Sequence, residues 1–140
     1  MRRLVAAATL SVALVSACSD STGPSTIFGT YTLATINGFN LPRLVDSDPT
    51  TGTTVEVTAG TVVVREDGTF TDHTDFRITQ GSQVTTDFTE ANGAWNRTGD
   101  VITFTPNDAS GSYSMTISSR TLTQDFIDSS GQHFILVYRR

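Results

Sequence analysis

The chain contains no lysine and only one cysteine among its 140 residues. Without lysine it can form neither a P-loop of the lysine type, nor a Schiff base with a carbonyl substrate, nor a serine–lysine dyad. It also lacks the motifs of serine hydrolases, zinc proteases, dinucleotide-binding folds and paired Cys-x-x-Cys sites. We therefore expect no enzymatic activity and no cofactor.

Positive charge is also scarce. The chain has nine arginines against fourteen acidic residues, a net charge of −5. Without residues 1–17, which include Arg2 and Arg3, seven arginines face fourteen acids and the net charge is −7. Such an acidic chain repels phosphate backbones, so we do not expect it to bind nucleic acid.

The first 17 residues have the layout of an export signal. A positive start at Met1–Arg3 precedes a mainly apolar stretch of twelve residues, Leu4–Val15, and small residues follow directly before Cys18. A stretch of twelve residues is too short to span a hydrocarbon layer, which needs about twenty. The pattern is typical of a cleaved secretory signal.

The sequence Val15-Ser16-Ala17-Cys18 resembles the lipobox of bacterial lipoproteins. In that family the cysteine sulfur carries a diacylglyceryl group, the signal is cut before the cysteine, and the new amine is acylated. The resemblance implies that Cys18 is lipidated and that acyl chains hold the protein at a membrane, each methylene contributing about 0.8 kcal/mol. An ordinary signal peptide with an incidental cysteine is the alternative.

The resemblance also implies a location in the cell envelope. Lipoproteins with Asp directly after the cysteine tend to stay in the inner membrane, whereas here Ser19 takes that position. We expect an exported protein anchored in the outer membrane. Residues 18–26 are small and polar, as in a flexible tether, and the domain is expected at 27–140.

The domain is predicted to be all-β. Thr, Val, Ile, Phe and Tyr occur in short runs separated by turn residues. Strict alternation, as at Tyr113, Met115 and Ile117, indicates half-buried antiparallel strands. Eight strands are predicted, near 28–36, 54–65, 69–79, 83–97, 101–105, 112–118, 121–127 and 132–139.

Eight strands in succession predict an antiparallel meander that closes into a barrel, with an open sandwich as the alternative. The stretch 39–53 is the least regular part of the domain. There we expect one helical turn after Pro42 and a mobile acidic loop over 46–54.

The two ends of the domain resemble those of lipocalins, which open with Gly-x-Trp and pack an arginine of the last strand across that aromatic ring. Here Gly29-Thr30-Tyr31 opens the domain and Tyr138-Arg139-Arg140 closes it, with Tyr31 in place of the tryptophan. The resemblance implies a lipocalin-like barrel with a small interior, in outline over residues 28–140.

Two functions remain open at this stage. The barrel either binds a small apolar molecule or is solid and serves as a structural or protein-interaction module of the envelope, since its last strand is apolar on both faces. An eight-stranded barrel lies at the boundary between these states. The candidate cavity-lining residues are Tyr31, Trp95, Phe104, Tyr113 and Phe126.

A metal site is not expected. His73 and Asp75 share one face of a predicted strand, but a third ligand would have to come from elsewhere, such as His133. Asp46 and Asp48 lack the further oxygen ligands of a calcium loop. We interpret these residues as a solvated strand face and an acidic loop.

The lipobox interpretation gives a first testable prediction. Mass spectrometry of membrane-extracted protein should find Cys18 as the first residue, carrying acyl groups. Cys18→Ala should release the protein from the membrane fraction, because no other part of the chain is predicted to anchor it. An unmodified Cys18, or a Cys18→Ala variant that remains in the membrane, would contradict the interpretation.

Overall fold

A computed structural model describes residues 26–108 and 110–140, which therefore exclude the predicted signal and Cys18. The described chain is all-β, as predicted. Its ten strands are β1 (Gly29–Ile36), β2 (Phe39–Asn40), β3 (Arg43–Asp48), β4 (Thr53–Val64), β5 (Thr69–Gln80), β6 (Gln83–Thr98), β7 (Val101–Pro106), β8 (Tyr113–Ser118), β9 (Thr121–Ile127) and β10 (His133–Arg139). All eight predicted strands are present, each within one residue of its predicted ends.

The strands form a closed antiparallel barrel. From β4 to β10 each strand pairs with its neighbour in sequence, and β1 pairs with both β10 and β4. The double pairing of β1 closes the sheet on itself, so the predicted eight-stranded barrel is confirmed and the open sandwich is not formed. β2 and β3 are two additional strands at the ends of the strand order.

The expectation for 39–53 was wrong in part. No helical turn follows Pro42; Arg43–Asp48 forms β3, which pairs with residues 53–57 of β4. Only the tip, 49–52, is a turn, where Asp48 accepts hydrogen bonds from the Thr50 amide and the Thr51 hydroxyl, both at 2.8 Å. The free edge of β4 decides the structure here, because strand pairing outweighs a weak local helical preference.

The core lies on the inward positions of the strands. Met115 and Ile117 are buried, whereas Ser114 and Thr116 on the same strand are exposed, so the predicted alternation is confirmed. The largest fully buried side chains lie toward the end of the barrel where β1 begins and β10 finishes. We call this the closed end; Tyr31, Phe70, Phe104, Ile102, Val64 and Tyr138 are buried there.

Aromatic packing fills the closed end and leaves no room at Gly93. The rings of Phe70 and Phe104 meet edge to face at 4.9 Å between centroids, and the ring of Tyr113 stacks on Phe104 at 5.3 Å. Gly93 lies beneath Phe70 and opposite Pro106. A Cβ atom at position 93 would lie 2.9 Å from the Phe70 ring and 2.8 Å from the Pro106 Cα. Glycine is therefore required for the close approach of β6 to its neighbours.

All described strands and all residues of the buried core lie between residues 27 and 140. The described residues thus contain a single continuous core. We expect a soluble form that starts at residue 19 to fold on its own, and that form contains no cysteine.

The packing at Gly93 gives a stability prediction. Gly93→Ala should lower the free energy of unfolding by roughly 2–3 kcal/mol, because the added methyl group overlaps backbone atoms that cannot rotate away. Thr86→Ala, at an exposed position of the same strand, should change it by less than about 0.5 kcal/mol. Urea unfolding of the two variants measures both values, and equal stabilities would contradict the packing described here.

Candidate ligand-binding cup

The end of the barrel opposite the closed end contains an open cup of about 350 Å³. Inward positions of the barrel strands form its wall, and β3 contributes from outside the barrel. The lining residues are Ile36, Val45, Asp46, Val57, Thr74, Phe76, Phe126, Asp128, Phe134 and Leu136. Seven of these ten are apolar, so the cup offers a largely hydrophobic surface.

Unequal strand lengths explain why this end stays open. β5 and β6 have 12 and 16 residues, whereas β7 and β8 have only six each. β7 pairs with β6 only from Gly93 onward, so the first ten residues of β6 rise beyond it. The wall is therefore high on the β5–β6 side, where Phe76 lies. On the opposite side of the mouth it is formed by the stacked rings of Phe126 and Phe134, whose centroids are 5.5 Å apart.

A polar cluster lies between the cup and the closed-end core. Asp72 is half-buried, one inward position from Thr74 toward the closed end, and accepts a hydrogen bond of 2.6 Å from the Tyr113 hydroxyl. Burial raises the pKa of Asp72, and the hydrogen bond from Tyr113 partly offsets this. Burial, with the nearby Asp72 charge, also raises the pKa of Tyr113 and of Tyr138. Both tyrosines therefore remain neutral hydrogen-bond donors.

Two carboxylates stand at the rim of the cup. Asp128 accepts hydrogen bonds from the Ser130 amide at 2.9 Å and the Gln132 amide at 2.8 Å. Its hydrogen bonds, first of all those from Ser130, lower the pKa of Asp128, so its carboxylate stays ionised. Asp46 is exposed on β3.

A polar recess of about 260 Å³ adjoins the cup and shares Ile36, Val45, Asp46 and Phe134 with it. Its remaining lining residues are Asn37, Arg43, Leu44, Ser47, Gln132 and His133. The Arg43 guanidinium lies 4.2 Å from the centre of the exposed Phe39 ring, which holds it to one side. An amphiphilic molecule could thus place its apolar part in the cup and its polar part at this border.

The five predicted cavity-lining residues occupy different levels of the barrel. Phe126 lines the cup. Tyr31 and Phe104 are fully buried in the closed-end core, and Tyr113 lies at the level of Asp72. Trp95 lies at the closed end, where its indole N–H donates to the Arg65 carbonyl at 2.9 Å and its ring centroid is 6.0 Å from that of Phe28.

The predicted and the observed lining residues differ for a simple reason. Alternation along a strand tells which residues point inward, but not how high each lies along the barrel axis. Phe76 is an even number of residues from Phe70 on the same strand, so the sequence already indicated that both point inward. This was the one feature of the sequence that pointed to Phe76 as a lining residue. Phe134 and Leu136 gave no such signal, since the last strand is apolar at every position from 134 to 138.

Arg140 seals the closed end against Tyr31. Its guanidinium lies 5.4 Å from the centre of the Tyr31 ring, and it donates a hydrogen bond to the Phe28 carbonyl. The Tyr31 hydroxyl donates to the Ile27 carbonyl at 2.8 Å. Gly29 makes room for this arrangement: its φ is +141°, and a Cβ there would lie 2.8 Å from the Arg140 side chain. Gly29, Tyr31 and Arg140 thus form one contact between the first and last strands.

The histidines lie outside the barrel and away from each other. His73 on the outer face of β5 contacts Asp75 at 3.1 Å and Glu90 at 3.4 Å, while His133 contacts Asp125 on the β9–β10 hairpin at 2.5 Å. Asp72, next to His73, points inward instead. Among the residues described, no group of three or more His, Cys, Asp or Glu side chains is arranged to hold a metal ion.

Over residues 26–108 and 110–140 there is no helix with the length and apolar character needed to cross a membrane.

The Asp72 environment predicts a pH-dependent stability difference. A folded-state pKa above the unfolded value means that Asp72 stabilises the fold only below its unfolded pKa, and that this stability is lost as the pH rises through its folded pKa. Asp72→Asn keeps a hydrogen-bond acceptor for Tyr113. It carries no charge, so the stability that Asp72 loses as the pH rises is not lost in the variant. The variant should therefore have the higher Tm at pH 7, and the difference should shrink below about pH 4.

Asp108→Asn is the matched control, for which we expect the opposite change in Tm at pH 7. The Ser110 hydroxyl and amide lower the pKa of Asp108, so this carboxylate stabilises the fold above its unfolded pKa. Its removal should lower the Tm at pH 7 and have little effect in acid. Thermal unfolding at both pH values measures the two variants; an Asp72→Asn Tm below that of the parent at pH 7 would contradict the buried environment of Asp72.

No family model matches the chain, and neither a curated protein nor a solved structure was found to match it. The geometry of the barrel and its cup is therefore the basis for any functional conclusion.

Proposed function

We propose that the protein is a lipid-anchored envelope lipoprotein whose lipocalin-like barrel binds a small apolar molecule in the cup. The observation that carries the binding function is the cup itself, an open space of about 350 Å³ with seven apolar side chains in its wall. Pockets of small-molecule binding proteins begin at about 300 Å³ and have mostly apolar linings with a few polar groups.

The volume sets the size of the ligand. At about 350 Å³ the cup lies near the lower limit of small-molecule pockets, so its ligand is small. Each buried methylene contributes about 0.8 kcal/mol, so a chain of ten carbons gains about 8 kcal/mol, which exceeds the lowest cost of association, about 4 kcal/mol. A ligand with roughly ten to fourteen non-hydrogen atoms fits this estimate.

The closed end supports the lipocalin-like part of the proposal. In lipocalins an arginine of the last strand packs across the aromatic residue of the opening motif, and Arg140 has this relation to Tyr31. Gly29 accommodates the arginine side chain. The substitution of tyrosine for the family's tryptophan leaves this contact in place.

The position of the chain start suits an anchored binding protein. β1 begins at the closed end, whereas the cup is lined by the last residue of β1, Ile36, and by residues near the start of β10, Phe134 and Leu136. A lipid on Cys18 would attach the barrel through its closed end. The anchor and the mouth of the cup are then at opposite ends of the barrel, so the anchor does not obstruct access to the cup from the aqueous phase.

An empty apolar cup also weighs against the alternative of a solid barrel with a purely structural role. A structural barrel gains stability from filling its interior, as the closed end does with Phe70, Phe104 and Tyr113. The open end instead keeps a space of about 350 Å³ between its apolar side chains.

Titration with 1-decanol tests the binding function. The soluble form from residue 19 should bind it with half-saturation at about 1 mM or below, because the gain of about 8 kcal/mol from roughly ten carbons exceeds the lowest association cost of about 4 kcal/mol. Methyl resonances of Ile36, Val45, Val57 and Leu136 should shift, while those of Ile102 and Ile117 in the closed-end core should not. Unchanged cup methyls at saturating decanol would overturn the proposal.

Thr74→Trp and Thr79→Trp form a matched pair for this titration. Both threonines lie on β5, but position 74 faces the cup and position 79 faces outward. A tryptophan at 74 should occupy the cup and weaken decanol binding at least about tenfold, whereas one at 79 should leave it unchanged. Thermal unfolding confirms that both variants are folded.

A further inference from the structure

Charge is segregated along the barrel axis. Of the seven arginines that the structure describes, five lie at the closed end, where they outnumber the acids Glu66, Asp67 and Asp100: Arg65, Arg97, Arg120, Arg139 and Arg140. The open end carries five aspartates in β3, at the start of β6 and around the end of β9: Asp46, Asp48, Asp87, Asp125 and Asp128. The mouth of the cup is therefore the negative end of the molecule.

Three of these carboxylates lie at the cup. Asp46 and Asp128 belong to its lining. Asp87 on β6 is the direct cross-strand neighbour of Phe76 and lies on the same face of the sheet. Hydrogen bonds within the β9–β10 turn lower the pKa of Asp128 and keep it charged. Carboxylates from β3, from β6 and from the β9–β10 turn are thus placed toward the mouth.

The cations near the mouth do not balance this charge. Arg77 on β5 is paired with Glu56 on the outer face, with 2.6 Å between the guanidinium and the carboxylate. His133 is in contact with Asp125. Arg43 faces the adjoining recess with its guanidinium over the Phe39 ring and is the one arginine without an acidic partner at this end, among the residues described. One guanidinium thus stands against three carboxylates.

We propose that the cup selects an amphiphile with an apolar body and a cationic head, such as an alkylammonium, and rejects an alkyl carboxylate of the same length. The inference rests on the proposed function, because it specifies which ligand the cup accepts. Burial of the chain brings the head to the rim, where Asp46 and Asp128 line the cup, and charges closer together than the Debye length of about 8 Å at physiological salt are only partly screened. Attraction or repulsion by Asp46, Asp87 and Asp128 then discriminates between heads of opposite sign.

Three probes with the same ten-carbon chain separate the contributions: 1-decanol, decyltrimethylammonium and decanoate. Titration of the soluble form at about 10 mM ionic strength should show that the ammonium binds about tenfold or more tightly than decanoate, with decanol between them. At about 500 mM salt the three affinities should converge, because screening removes the electrostatic part and leaves the apolar part.

Asp46→Asn tests the source of the selectivity, since the Asp46 side chain is exposed and its loss should not disturb the core. It should lower the ratio of ammonium to decanoate affinity about threefold; the ratio is the readout, because a change in apolar contact at position 46 affects both probes alike. Glu66→Gln, at an exposed site of the closed end, makes the same change in net charge and should leave the ratio unaltered.

The outcomes distinguish the two proposals. If decanol binds but decanoate binds as tightly as the ammonium at low salt, the inference about charge is overturned and the cup remains a binding site. The same holds if Asp46→Asn and Glu66→Gln change the ratio equally. If none of the three probes binds, the proposed function itself is overturned. An ammonium preference that Asp46→Asn reduces and Glu66→Gln does not would establish the inference.

Discussion

The contact between the first and last strands is the constraint on which the rest of the structure depends. β1 pairs with β10 on one side and β4 on the other, and this double pairing turns a meander into a barrel with a defined inside. Arg140 reinforces it by lying over both Gly29 and Tyr31. Without closure the sheet would have two long edges, and the inward positions of β5 and β10 would not face each other.

Closure creates two ends with different contents. At the closed end, large aromatic side chains meet at van der Waals distance, and Gly93 is needed for their fit. Toward the open end the inward residues of β5 are Thr74 and Phe76. The wall formed there by β5 and β6 extends beyond the six-residue strands β7 and β8. The space between this wall and β9–β10 forms the cup of about 350 Å³. One end thus stabilises the fold, and the other is available for function.

The half-buried Asp72 lies where these two ends meet. Its hydrogen bond from Tyr113 satisfies one carboxylate oxygen, but burial of the charge costs stability at neutral pH. A neutral side chain would fill this position at lower cost. Native proteins concentrate such unfavourable placements at functional sites, and the location of Asp72 one inward position from Thr74 of the cup agrees with that tendency.

Most of the fold could be predicted from the sequence, and most of the site could not. Strand positions follow from local information, namely alternation and turn residues, so all eight barrel strands were predicted within one residue. β3 was missed because it depends on the free edge of β4, which is a tertiary feature. The level of each inward residue along the axis depends on strand stagger, so Tyr31 and Phe104 were taken for candidate lining residues, while Phe76, Phe134 and Leu136 were not recognised.

Ligand binding in the cup requires that the apolar space at the mouth of the closed barrel be open to small molecules. A crystal structure determined under xenon pressure would examine this requirement without a polar ligand, because xenon enters accessible apolar space and needs no polar partner. We expect a xenon atom between Phe76, Phe134 and Leu136. Side chains of Phe76 and Phe126 folded together across an empty mouth, with no xenon bound, would contradict it.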